Sequence, residues 1–340
     1  MFDRLYRHGR LAGIGLAAAL LNACGGGSAT APDAEPFYLE EEEEWSLVWS
    51  DEFDGSAVDS GNWTFQLGDG SDNGLPGWGN YELQYYQADN ASIQEVDDTT
   101  ALVIEARQED AGNSAYTSAR MRSVNKFDFK YGRVDIRAKA APGDGMWSAV
   151  WMMPTDTTYG TWAAGGEIDI MEVVNAGTDN QGVFMAAHYG FEWPLNQITS
   201  EGADVSDATD WHTYSLEWSG DYLRWFVDGE HLRTVSKDVY YSYYFKDNTD
   251  GYQLASNPSA PFDRDFHLIV NLAVGGVGPG VELDPSAVPG EMVVDYIRVY
   301  ECSYDTANGV GCNSLADRSI ESPDAQSPDC LLYTSDAADE

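Results

Sequence analysis

Cationic side chains are scarce in this chain: 18 Lys and Arg stand against 57 Asp and Glu, a formal charge of −39 over 340 residues. A field of that sign repels polyanions, which excludes nucleic acids and acidic polymers as favoured partners and leaves a neutral polymer. A membrane-length apolar run is missing too. The run Leu11–Leu21 spans eleven positions, short of the ~20 a helix needs to cross a bilayer. No sustained helical period occurs outside that run, which argues against an α-helical fold. Cysteine is confined to Cys24, Cys302, Cys312 and Cys330. No histidine lies near Cys302 or Cys312, so neither a metal site nor a catalytic thiol is indicated there.

What the chain does have is short alternation. LVIEAR (Leu102–Arg107), RVDIRAK (Arg133–Lys139), YSLEW (Tyr214–Trp218), LRWFVDG (Leu223–Gly229) and VVDYIRVY (Val293–Tyr300) alternate apolar with polar residues, and Gly, Pro, Asn and Asp turns separate them. The pattern predicts an all-β fold of two packed antiparallel sheets. Glu105 and Glu217 fall at polar positions of such strands and read as outward-facing charges, while His212 and His267 read as ordinary core-strand residues. Aromatics are abundant, with 11 Trp, 20 Tyr and 12 Phe, and their flat faces suit stacking on sugar rings as well as core filling.

At the N-terminus Arg4, Arg7 and Arg10 precede the apolar run and then Ala23-Cys24, so residues 1–23 read as an export signal. The segment resembles a bacterial lipoprotein signal, cleaved before a cysteine that then carries acyl chains. An ordinary signal with an incidental cysteine is the alternative, and the glycine-serine tether Gly25–Ser28 favours the lipoprotein. Residues 24–45, with Pro32, Pro36 and the run Glu40–Glu44, read as an acidic, extended linker. One folded domain is predicted over 46–301. In an exported protein Cys302 and Cys312, which flank SYDTANGVG, are expected to form a disulfide. The remainder of 302–340 reads as a disordered tail, and its last stretch, CLLYTSDAADE over 330–340, resembles a translated sequencing adaptor.

The segment Gly166–Asn175, GEIDIMEVVN, concentrates chemistry. In a strand Glu167 and Asp169 share one face while Ile168 and Ile170 point inward. Strict alternation would bury Glu172, where an unpaired charge is costly. One extra residue at Met171, absorbed as a β-bulge, returns Glu172 to the acidic face. Three neighbouring carboxylates spread their pKa values, so that one stays protonated while another is ionised. That division suits glycoside hydrolysis.

This E-x-D-x-x-E strand resembles the active-site strand of glycoside hydrolase family 16 in its laminarinase-like, bulge-containing form. WSDEF (Trp49–Phe53), GWGNYELQYY (Gly77–Tyr86), YTSARMRS (Tyr116–Ser123), GMWSAVWMMP (Gly145–Pro154), AHYG (Ala187–Gly190), NLAVGG (Asn271–Gly276) and VDYIRVYE (Val294–Glu301) look like the family's other strands in order. The resemblance implies a β-jelly roll with a substrate cleft across its concave sheet, and retaining endo-hydrolysis of β-1,3-glucan. It makes Glu167 the nucleophile, Glu172 the acid/base and Asp169 the residue that tunes them. A β-1,3-1,4-glucanase or agarase is the alternative within the family, and a non-catalytic β-glucan-binding protein the alternative outside catalysis. The resemblance further implies Trp147 and Trp151 as sugar platform and wall, and His188 as a neighbour of Glu172. It implies Trp78, Asn80 and Glu82 as contacts on the non-reducing side, and Arg120 as a cleft arginine that bonds sugar hydroxyls. Ser148 stands where the family usually has proline. Glu52 and Asp295 would hold a structural Ca²⁺, with no cofactor needed for catalysis. The expected state is a monomer that meets the membrane only through its lipid.

Overall fold

The computed structural model describes residues 44–245 and 251–312. The signal over 1–23, Cys24, the linker up to residue 43 and the tail from 313, with Cys330, lie outside the described residues. Numbered along the chain, the strands among the described residues are β1 (Trp45–Asp51), β2 (Thr64–Phe65), β3 (Gln84–Tyr86), β4 (Ala91–Val96), β5 (Thr99–Ala106), β6 (Tyr116–Ser118), β7 (Arg120–Arg122), β8 (Asp128–Phe129), β9 (Gly132–Lys139), β10 (Met146–Pro154), β11 (Glu167–Val174), β12 (Gly182–Phe191), β13 (Asn196–Gly202), β14 (His212–Trp218), β15 (Tyr222–Val227), β16 (Glu230–Ser236), β17 (Ser242–Phe245), β18 (Tyr252–Leu254), β19 (Phe266–Val274) and β20 (Gly290–Cys302).

They form two large sheets. An eight-stranded sheet runs β16-β15-β14-β9-β20-β5-β4, with β1 beside β20. A ten-stranded sheet runs β18-β17-β12-β11-β10-β19-β7-β2, with β13 beside β12 and β8 beside β19. These are the two packed sheets that the alternation predicts, in the all-β jelly-roll form that the resemblance implies. β9 shows the rule plainly: Val134, Ile136 and Ala138 are buried while Arg133, Asp135, Arg137 and Lys139 stay accessible. Between the sheets Val134, Ile136, Leu216 and Ile297 meet Val150, Ile168, Leu268 and Val270 in one buried cluster. Burying a side chain of this size stabilises the fold by about 1.5–3 kcal/mol. The folded unit begins one residue earlier than the linker reading places it, because Trp45 already pairs with Cys302. Cys302 and Cys312 are joined in a disulfide, Cα to Cα 5.6 Å.

Two readings of charge change in the folded chain. Glu217 is on the outer face but is not exposed: its side chain is wholly buried, with Arg133 Nη1 at 3.1 Å and Arg224 Nη1 at 3.7 Å. Alternation placed it on the outer face of β14, but the long arginine side chains of β9 and β15 close over it and neutralise it. Glu52 and Asp295 are likewise engaged with cations. Arg298 donates Nε and Nη2 to the two Glu52 oxygens at 2.9 and 2.7 Å and thereby holds that carboxyl below its ordinary value. Arg137 and Thr99 both donate to Asp295, at 2.6 Å each. Two carboxylates turned to guanidinium groups do not fit the oxygen-rich shell that calcium prefers. His267 is buried as expected, whereas His212 is bonded to Asp228 through Nδ1 at 2.7 Å.

Candidate active site

The acids sit on β11, in the middle of the ten-stranded sheet. Gly166 leads into the strand at φ +91°, where a β-carbon would lie 2.9 Å from Pro261 Cγ, so only glycine fits the entry. Against β10 the register runs Trp151↔Asp169, then Val150↔Met171, then Ala149↔Glu172. Against β12 it jumps from Asp169↔Ala186 to Glu172↔Phe184. The bulge is therefore real, but the residue with no partner on either side is Ile170 rather than Met171. Both side chains are fully buried, because the bulge turns two consecutive apolar residues inward and brings Glu172 out beside Glu167 and Asp169. A bulge takes backbone groups out of the ladder, and the buried Trp225 of the opposite sheet donates its indole N–H to the Asp169 carbonyl at 2.9 Å.

Each outer acid is held by one indole. Trp162 Nε1 donates to Glu167 Oε2 at 3.0 Å, and Trp147 Nε1 donates to Glu172 Oε1 at 3.1 Å. His188 lies directly across from Glu167 on β12. Its Nε2 is 3.5 Å from Glu167 Oε1 and 3.3 Å from Asp169 Oδ2. Burial, with Asp169 close by, pushes the Glu167 carboxyl up to about 8. Burial alone raises Asp169 to about 8, and burial with the Asp169 charge raises Glu172 to about 8. Groups this close titrate as one unit. At neutral pH the cluster thus keeps protons that isolated carboxylates would lose, and the imidazole and the Trp162 N–H both favour ionised Glu167.

The rest of the predicted set divides in two. Trp147 and Trp151 lie on β10 with half-buried side chains. The Gly278 backbone lies against the Trp147 ring so closely that a β-carbon there would sit 2.5 Å from Cε3. Trp151 donates to Asn271 Oδ1 at 2.7 Å. Arg120 lies over both Trp78, 4.5 Å from its ring centroid, and Trp151, 4.8 Å away, and its Nε donates to Gln66 at 2.8 Å. Asn80 remains partly exposed. Trp78, in contrast, is buried on a loop with left-handed backbone at Gly77 and Trp78. Glu82 is also buried, and it accepts hydrogen bonds from Gln84, Tyr86 and Asn80. It anchors this loop from within and is not an open contact. A polar chain continues from it: Tyr86 donates to Glu82, Asn271 donates to the Tyr86 hydroxyl at 3.3 Å, and Asn271 accepts from Trp151.

Sequence reasoning missed Trp162 and Asn271. Trp162 sits in the glycine-rich approach to the acidic strand, and Asn271 is the lone amide within the buried run FHLIVNLAV. Each carried a legible signal: an aromatic just ahead of the motif, and an amide in the middle of a largely apolar strand. Trp162→Phe is expected to lower kcat about tenfold, the size of one lost hydrogen bond to a charged group. The bond favours the ionised form, so its loss raises the Glu167 pKa, and the acidic limb of kcat/KM moves to higher pH. An unshifted limb in the pH–rate profile of this variant would show that the indole does not tune Glu167.

Three carboxyls with raised pKa values on one face of β11, framed by indoles, are equipped for acid/base and nucleophilic work on a sugar. Residues 80–254 match the family model Glycosyl hydrolases family 16. The chain belongs to this family. It is therefore a glycoside hydrolase. It is 39% identical over 274 residues to the Beta-glucanase of Rhodothermus marinus, covering 75% of this chain and 85% of that protein. It is 38% identical over 274 residues to Glucan endo-1,3-beta-glucosidase A1 of Niallia circulans, which covers 75% of this chain; the match spans only 38% of that longer relative. Among solved structures it is similar to the catalytic domain of an endo-1,3-beta-glucanase (laminarinase) from Thermotoga petrophila RKU-1, with TM-score 0.64 and 38% identity, covering 77% of this chain and all of that one.

Proposed function

We propose that this family 16 hydrolase cleaves internal β-1,3-glucosidic bonds of laminarin-type glucans with retention of anomeric configuration. The observation that carries the reading is the placing of Glu167 and Glu172 on one face of β11, each fixed by its own indole, with Asp169 between them. In the first half-reaction the Glu167 carboxylate attacks the anomeric carbon. The bond to the leaving oxygen breaks, and that oxygen takes its proton from Glu172. In the second, Glu172 removes a proton from water, the hydroxyl attacks the same carbon, and the bond to Glu167 breaks. His188 and Trp162 favour charge on Glu167 at the start, which suits the nucleophile. Trp147, Trp151, Arg120 and Asn80 supply ring faces and donors to the sugars, with Trp78 and Glu82 holding the loop behind them. The laminarinase and endo-1,3-beta-glucosidase names of the similar proteins support the linkage, and the acidity of the chain suits an uncharged polymer. The segment ending at Cys24 supports export and attachment through a lipid, with the domain held off the surface by the acidic linker.

Product profiling tests the reading. Purified protein incubated with laminarin, lichenan and agarose is expected to release a ladder of oligosaccharides from laminarin, with the β-anomer appearing first by NMR. Release from agarose and none from laminarin would replace the glucanase assignment, and an initial α-anomer would overturn the double displacement.

A further inference from the structure

We propose that Glu167, Asp169 and His188 form a site for a divalent transition cation of the zinc class, and that its occupation switches the hydrolase off. One oxygen from each carboxylate and one imidazole nitrogen lie within 4.8 Å of one another. His188 Nε2 is 3.5 Å from Glu167 Oε1 and 3.3 Å from Asp169 Oδ2. Bonds of 2.0–2.1 Å to a tetrahedral zinc place its ligand atoms roughly 3.3–3.4 Å apart. The His188–Asp169 edge thus already has the required length, the His188–Glu167 edge is slightly long, and all three atoms lie within 4.8 Å of one another before any metal is added.

A second, independent observation points the same way. Asp169 Oδ2 is buried and makes no hydrogen bond, although the side chain is only 4% exposed and this oxygen faces His188. A buried carboxylate oxygen without a donor is costly, and a cation bound there would satisfy it. The donor set decides the class of ion. Two carboxylates and an imidazole suit zinc and its first-row neighbours, whereas calcium and magnesium favour shells of oxygen alone. Glu167 and His188 keep 15% and 17% of their side chains accessible, which leaves water room for a fourth ligand position. Inactivation rests on the nucleophile role proposed for Glu167: a metal on Oε1 occupies the atom that must attack the sugar.

The test titrates Zn²⁺ alone onto the full chain in a calorimeter, and in parallel measures laminarin hydrolysis over the same zinc concentrations. One equivalent is expected to bind, with hydrolysis lost over the same range and restored by a chelator. His188→Gln and Asp169→Asn are each expected to weaken binding at least tenfold. A short β-1,3-glucan oligosaccharide is expected to compete with zinc on the wild-type protein, a readout that stands even if a variant fails to fold. No binding at about 1 mM zinc, or binding indifferent both to the two substitutions and to the oligosaccharide, overturns the site. Zinc bound at these residues without loss of hydrolysis overturns the switch. Zinc bound there by a protein that leaves laminarin intact supports the site and counts against the glucanase reading alone.

Discussion

Glu167→Ala is expected to lower kcat on laminarin by about 10⁵-fold, the scale of losing the group that forms the covalent bond, while leaving the fold in place. The side chain is on the outer face of β11 and not in the core, so truncation opens no cavity between the sheets. It also removes a carboxyl that burial has already pushed up to about 8, which relieves repulsion within the cluster. Trp162 loses its acceptor, but the position is open enough for water to take its place. With the carboxylate gone, azide fits the vacated space and attacks the anomeric carbon from the same side. The product is then a glycosyl azide inverted relative to the bond cleaved. Its configuration by NMR, together with the reducing-sugar rate, decides the matter. A rate within tenfold of wild type, or an azide product of retained configuration, removes Glu167 from the role of nucleophile.

The strands and the acids were readable because both depend on periodicity. Alternation in RVDIRAK places Val134 and Ile136 inward whatever the rest of the chain does, and the break in alternation at Glu172 announces a bulge before any partner strand is known. Which residue is extra was not readable. That is a property of register, and the register belongs to Val150 and Met185 on the flanking strands as much as to β11. The same limit explains Glu217. Its position on β14 fixes the face it points to, yet whether that face is open depends on arginines of two other strands. The expected calcium pair Glu52 and Asp295 differs from the reading for a related reason. Charge counts along a chain do not say which cation arrives from elsewhere, and here Arg298 and Arg137 arrive first. Partners contributed from a distance, such as Trp225 on the Asp169 carbonyl and Asn271 under Trp151, become visible only once the sheets are assembled.

The site's energetics follow from the same assembly. Three carboxyls are forced together on a mostly buried face where each resists ionisation, and the protein stabilises this arrangement through indole donors and a solid apolar layer beneath. The bulge is the device that makes it possible, since it turns Ile170 and Met171 into the core together and leaves the acids no competing place. Ground-state repulsion of this kind is retained where chemistry needs a proton held near neutral pH.

Glu172→Ala is expected to separate the two halves of the reaction. On laminarin, where the leaving group is a sugar hydroxyl that needs a proton, kcat falls about 10³–10⁴-fold. On an aryl β-glucoside of a short β-1,3-glucan the leaving phenolate departs without help, so the first step stays fast. The glycosyl-enzyme on Glu167 then waits for a water that no base activates, and a burst of phenol followed by a slow phase is expected. Azide now intercepts that intermediate and gives a product of retained configuration, the opposite of the outcome with Glu167→Ala. The pH profile supplies a further check. In the wild type the carboxyl of Glu172, raised to about 8 by burial and by the Asp169 charge, must be protonated to act, so kcat/KM falls as pH rises through that region. The basic limb is expected to vanish in the variant, because the group that lost its proton there is gone. Equal losses on both substrates, or a basic limb that survives, would assign the proton to another residue of the cluster.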